Sequence, residues 1–247
     1  MNFNIELYEQ IIKLYQQAGY DFIDFHGELN PQNKIILRHD IDFDVKKSLE
    51  IAHLENKLEV IATYFFLLRS DSYNFCEESN LQAIKEIAAL GHEVSIHFDP
   101  TLYSDLENGM KFEIQLFRLL TGLEPKIVSF HRPSQFFLDH DDPFFGLPHT
   151  YQDKFFKDIK YIADSAGGFF YDAPIDWQAF KNRDSIQFLT HPIWWTTPGK
   201  TNIEKIKNYL SANGGEFSKH FAKNCKPWKK YLADKYLADN QSTESTI

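Results

Sequence analysis

The residues able to do chemistry sit at the ends of apolar runs. The stretch RHDID, residues 38–42, closes one run with Arg38, His39, Asp40 and Asp42. Other runs end in His97 and Asp99, in His131 and Arg132, in Asp164, and in His191. Carboxylates and imidazoles at buried strand ends are costly unless they are paired or hold a cation, so this recurrence points to one shared site. Imidazoles together with carboxylates suit a divalent ion, zinc first, with cobalt, nickel or manganese as further fits. Such an ion acidifies water and polarises a carbonyl. A neighbouring carboxylate can take the proton, a histidine can return one to a leaving group, and an arginine can keep the base ionised.

The elements that must position these groups alternate. Strand-like runs fall near residues 35–42, 60–68, 93–99, 126–134, 160–165 and 185–195, with helix-period segments between them. That order predicts a parallel sheet under helical cover, whose site lies at the carboxyl ends of the strands. Side chains two apart share a strand face. Asp40 and Asp42 therefore point together with Arg38 behind them, His97 and Asp99 share a face, and His39 turns toward the helices. Gly91 suits a helix C-terminus, and His92 after it reads as structural. Tyr64, Asn74, Asp164 and Trp194 are candidate substrate contacts, as are Asp172, Asp176 and Trp177 in a loop-like stretch.

Composition narrows the class. The 247 residues carry a formal charge of −9 and no basic run, which argues against nucleic acid and anionic membrane surfaces as partners. No apolar stretch is long enough for a membrane span. The N-terminal segment reads as an amphipathic helix rather than a secretory signal. Cys76 and Cys225 fit no paired motif, so free thiols and a cytoplasmic location are expected. Aromatic residues make up 16% of the chain, which suits a densely packed core and also a groove that stacks on sugar rings. One domain is expected over residues 1–238, with a polar tail at 239–247.

Taken in order, these segments resemble the polysaccharide deacetylases, carbohydrate esterase family 4 with the NodB-homology domain, in a branch with an Arg-His-Asp-x-Asp strand. RHDID (38–42) takes the place of the family's Asp-Asp motif, and ATYFFLLRSDSYN (62–74) is similar to its second strand. ALGHEVSIHFD (89–99) resembles its Gly-His-Glu-x-x-x-His segment, SFHRPS (129–134) its Arg-Pro motif, ADSAGG (163–168) its fourth motif and FLTHP (188–192) its last. The resemblance covers roughly residues 33–195. It implies a distorted (β/α)7 barrel of the glycoside hydrolase/deacetylase type. It also implies a metal-dependent hydrolase that removes an acyl group, N-acetyl first, from a sugar, sugar nucleotide or polysaccharide precursor. By position, Asp40 would be the general base, Arg132 its orienting partner, His191 the general acid, and Asp42 and His97 metal ligands. The family's second metal histidine falls on Thr101, so Asp99 or His131 could complete the shell, or the ion is held weakly or lost. A hydrolase of another small amide or imide, and a non-catalytic carbohydrate binder without a metal shell, are the other readings these residues permit.

Overall fold

The computed structural model describes residues 3–30, 32–168 and 178–234. Contacts divide the chain into two compact units, residues 1–196 and 197–247, where the sequence suggested one domain to residue 238. The tail from residue 239, and Asp172, Asp176 and Trp177, lie outside the described residues.

The first unit runs α1 (Ile5–Gln17), β1 (Asp21–Ile23), β2 (Lys34–Ile41), α2 (Val45–Lys57), β3 (Thr63–Phe66), α3 (Glu78–Ala89), β4 (Glu93–Phe98) and α4 (Leu106–Thr121). It continues through β5 (Val128–Phe130), α5 (Gln135–Leu138), α6 (Asp153–Phe156), β6 (Lys160–Ala163), α7 (Gln178–Asn182), β7 (Ile186–Thr190) and α8 (Pro192–Thr196). The second unit carries α9 (Asn202–Asn224), capped by the Thr201 side chain on the Glu204 amide. Asn4, Asp44 and Asp105 accept backbone amides in the same way at the starts of α1, α2 and α4. Gly122, at φ 74°, closes α4 in the left-handed conformation that glycine adopts without strain.

Every strand pairing is parallel, in the order β5-β4-β3-β2-β7-β6, with β1 beside the start of β2. Residues 148–150 run along the free edge of β5: the Val128 amide donates to the Pro148 carbonyl at 3.0 Å, and the Thr150 amide to the Val128 carbonyl at 3.1 Å. Tyr151 then faces Tyr161 of β6, with ring centroids 6.4 Å apart. The six main strands and this segment make seven staves, a distorted (β/α)7 barrel in which two tyrosines flank the weak seam.

Alternation along β2 separates two environments. Ile36 joins Phe25, Phe65, Ile127, Phe155 and Ile159 in an apolar plug at the amino end of the lumen. Arg38 and Asp40 follow on the same face. His39 faces the helices, where its Nε2 lies 2.8 Å from the fully buried Glu55 of α2. Tyr8 of α1 and Tyr64 of β3 also donate to that carboxylate. Burial alone would raise the pKa of Glu55, but His39 and its other partners outweigh it and hold the carboxyl below its usual range.

Two elements differ from the sequence expectation. The run at 185–195 stops being a strand at Thr190, because Pro192 lacks an amide hydrogen for the ladder and starts α8 instead. β1 is three residues long, too short to show a periodic pattern.

Helix α4 contains a second buried acid. Glu113 is 1% exposed, its Oε1 accepts the Tyr103 hydroxyl at 2.6 Å, and its Oε2 has no hydrogen-bond partner. Burial pushes this carboxyl up to about 7 from an ordinary 4.5. The folded state therefore holds a proton that the unfolded chain releases, so stability falls as pH rises through that interval. Glu113→Gln is expected to flatten this dependence and, at pH 8, to stabilise the protein by about 2–3 kcal/mol. Urea unfolding of both forms at pH 5 and pH 8 checks it; equal slopes with pH would remove Glu113 as the cause.

Candidate metal and catalytic site

The polar site grows out of one buried guanidinium. Arg38 is fully buried in the lumen. Its Nε donates to Asp40 Oδ1 at 2.9 Å and its Nη2 to Asp40 Oδ2 at 2.7 Å, a two-pronged pairing. The same group donates to Gln187 Oε1 at 3.0 Å, to Ser129 Oγ at 2.5 Å and to the Tyr151 hydroxyl at 3.1 Å. Burial alone would raise the pKa of Asp40; the charges of Arg38 and then His97 outweigh it, and the carboxyl stays below its usual range.

One layer toward the strand ends, three ligand-type atoms converge. Asp42 Oδ1 lies 3.3 Å from His97 Nε2 and 3.4 Å from His131 Nδ1, and those two nitrogens are 3.2 Å apart. Ligand atoms about 2.0–2.1 Å from a tetrahedral ion lie about 3.3–3.4 Å from one another, so the triangle has the dimensions a zinc-like ion demands. Asp42 Oδ1 is buried without a hydrogen-bond partner, which is the condition of an atom that accepts a cation. His97 Nδ1 stands 3.3 Å from the Ser129 carbonyl. Donation there places the ring hydrogen on Nδ1 and turns the Nε2 lone pair to the cluster. Among the described residues, Asp42, His97 and His131 are the group able to hold an ion. Burial opposes the ionised form of Asp42, yet His131, His97 and His191 around it hold its carboxyl well below the usual range.

His191 approaches from β7. Its Nε2 is 3.7 Å from Asp42 Oδ2, while its Nδ1 lies 2.6 Å from Asp164 Oδ1. Asp164 is fully buried; it also accepts the His191 amide and, at 2.7 Å, the Trp195 indole. Burial works against the imidazolium, but Asp164 first and then Asp42 and Asp40 raise the His191 pKa to about 9. His191 is thus a protonated donor at neutral pH.

These groups open into a cleft of about 780 Å3, whose walls include Phe43, Phe130, Phe156, Tyr161 and Trp194. Several sequence-predicted residues take other positions. Asp99 lines the cleft, but its Oδ1 accepts the Thr101 amide at 2.9 Å and hydroxyl at 2.6 Å, and it is outside the ligand triangle. The third corner is His131. Arg132 is at the rim and absent from the partners of Asp40; the arginine on that carboxylate is Arg38. Tyr64 points away from the cleft to Glu55, Asn74 caps the Cys76 amide, and Asp164 stands behind His191 rather than beside a ligand. The position of Arg38, two residues before Asp40 on the same face, was the one available signal for its part. Glu55 sits inside a helix and carried none.

The stave order is that of a distorted (β/α)7 barrel, with an acid–imidazole cluster on its strand ends. No family model matches the chain, and no curated protein matches it. Solved structures similar to it include the deacetylase PplD of Streptococcus pyogenes in complex with acetate, at 13% identity and TM-score 0.44, covering 76% of this chain and 81% of that one. IcaB of Ammonifex degensii is 15% identical at TM-score 0.40, over 51% of this chain and 65% of its own, just under two thirds. BA3943 of Bacillus anthracis, a family 4 pseudoenzyme, is 14% identical at TM-score 0.38, over 75% and 63%.

Two outcomes follow. Arg38→Met strands a buried carboxylate and is expected to cost about 3–5 kcal/mol of stability, much of it recovered by adding Asp40→Asn; denaturant melts of the single and double variants measure this. Zinc should bind the purified protein at one ion per chain. Binding should be lost in Asp42→Ala and His131→Ala but kept in Asp99→Ala, as read by metal analysis after dialysis. Loss in Asp99→Ala together with retention in His131→Ala would reverse the ligand assignment.

Proposed function

We propose that this chain is a divalent-metal hydrolase that removes an acyl group, N-acetyl first, from a sugar derivative. One observation carries the reading: the Asp42–His97–His131 triangle lies between a carboxylate held ionised by Arg38 and an imidazolium held by Asp164. An ion held by the triangle supplies a Lewis acid for the acyl carbonyl and lowers the pKa of water. Asp40, fixed on both oxygens by Arg38, accepts the proton of the attacking water. His191 Nε2 delivers a proton to the departing amine or alkoxide as the bond to the acyl carbon breaks. Asp164 keeps that imidazole charged and oriented, and the aromatic walls offer faces for a sugar ring.

Acetate release from a panel of N- and O-acetylated sugars, measured with zinc-, cobalt- or manganese-loaded protein, tests the proposal. Asp40→Asn is expected to lower kcat by about 10²–10⁴-fold while the ion stays bound. Metal-loaded protein that releases no acyl product from any member of the panel would sink the reading.

A further inference from the structure

Arg132, set at the cleft rim, is in an unusual backbone state. Its backbone sits at φ 49°, in the left-handed region, directly before Pro133. A non-glycine residue in that region is uncommon, and a following proline restricts it further. Such a conformation persists where surrounding structure enforces it, and it clusters at ligand-binding positions. The turn lets His131 face the triangle while Arg132 goes to the rim of the cleft, where it is exposed. Among the described residues no hydrogen bond or ion pair engages its guanidinium, and both oxygens of Asp40 are taken by Arg38.

A second arginine lines the same cleft, and it is held in place. Arg69 lies 5.2 Å from the centre of the Tyr103 ring. That ring is fixed on three sides: it stacks on Phe98 at 5.2 Å, gives its hydroxyl to Glu113, and packs so closely on α4 that a Cβ at Gly109 would sit 2.4 Å from it. Two carboxylates, Asp71 and Asp99, share the mouth, but neither forms an ion pair with either arginine. In a chain of net charge −9, two guanidinium groups thus face one cleft and, among the described residues, neither is engaged in an ion pair, although Asp71 and Asp99 share its mouth and Glu113 acts on Arg69. An arginine fork is matched to phosphate and carboxylate oxygens.

We propose that the substrate is an anionic sugar derivative whose phosphate or carboxylate is received by Arg132 and Arg69, which line the same cleft. This rests on the hydrolase reading only in taking the ligand to be a sugar. Arg132 then sets specificity, and Arg38 takes over the orientation of Asp40.

The test is calorimetric binding to the full chain, with and without added zinc, of four probes: N-acetylglucosamine, its 1-phosphate, its UDP ester and N-acetylglucosaminuronic acid. Arg132→Gly is the informative variant, since glycine accepts the backbone conformation and the fold is retained. At least one anionic probe is expected to bind about tenfold or more tighter than the neutral sugar. That advantage should shrink in Arg132→Gly, shrink less in Arg132→Lys, and fall with salt, while the neutral sugar is unaffected. Preference for the phosphate esters or for the uronate identifies which oxyanion is used. Equal binding of neutral and anionic probes, or an anion preference untouched by both Arg132→Gly and Arg69→Gln, overturns the proposal. Arginine-dependent anion binding without acyl release would sink the hydrolase reading and leave this one standing. Acyl release with equal KM for neutral and anionic sugars would do the reverse.

Discussion

The barrel is organised around an ion pair in its lumen. Removing a guanidinium and a carboxylate from water costs several kcal/mol each, and the pair is tolerable only when the remaining donors and acceptors are also satisfied. Here the partners of Arg38 come from different staves: Asp40 from β2, Gln187 from β7, Ser129 from β5 and Tyr151 from the segment beside β5. Gln187 completes the arrangement by donating to the carbonyls of Thr150 and Phe155. A lumen that other barrels fill with apolar layers is apolar only at its amino end here. Above that plug a polar cross-brace spans a barrel whose ladder does not close, and the direction in which Asp40 points follows from it.

Two carboxylate–imidazole pairs lie near the same strands with different consequences. Glu55 and His39 are both fully buried on the helix side, and that ring is closed off by Thr190 on its other nitrogen. Asp164 and His191 make a similar contact, but the second nitrogen of His191 reaches the cleft next to Asp42. Access to a reacting group, more than residue type, separates a structural pair from a candidate acid.

The sequence made the strand-end pattern legible because alternation is local: it follows from spacing that Asp40 and Asp42 share a face and that His39 faces away. The choice between His131 and Asp99 was not legible, since it depends on how far β5 stands from β2 and on a turn that engages Asp99 with Thr101. Nor was the exchange of arginines. Arg38 and Arg132 are both plausible partners for a carboxylate in one dimension, and only the lumen shows which one is enclosed with it. The stave at residues 148–151 carries little strand pattern because its pairing is a single bridge. Glu55 and Glu113 lie within helical segments whose charged residues normally face water, and burial contradicts that reading only once the helices are docked.

β2 is committed on both faces, and that makes it intolerant of a change in frame. Deleting or inserting one residue just before Arg38 would exchange the two faces beyond that point, sending His39 into the lumen and Asp40 toward Glu55. The first would lose its acceptor, and the second would meet another buried carboxylate. Over the course of divergence the loops after each strand are free to lengthen or shorten, but Lys34–Ile41 has to be inherited at constant length. Variation in this lineage should therefore show up as substitutions within that strand and as indels outside it.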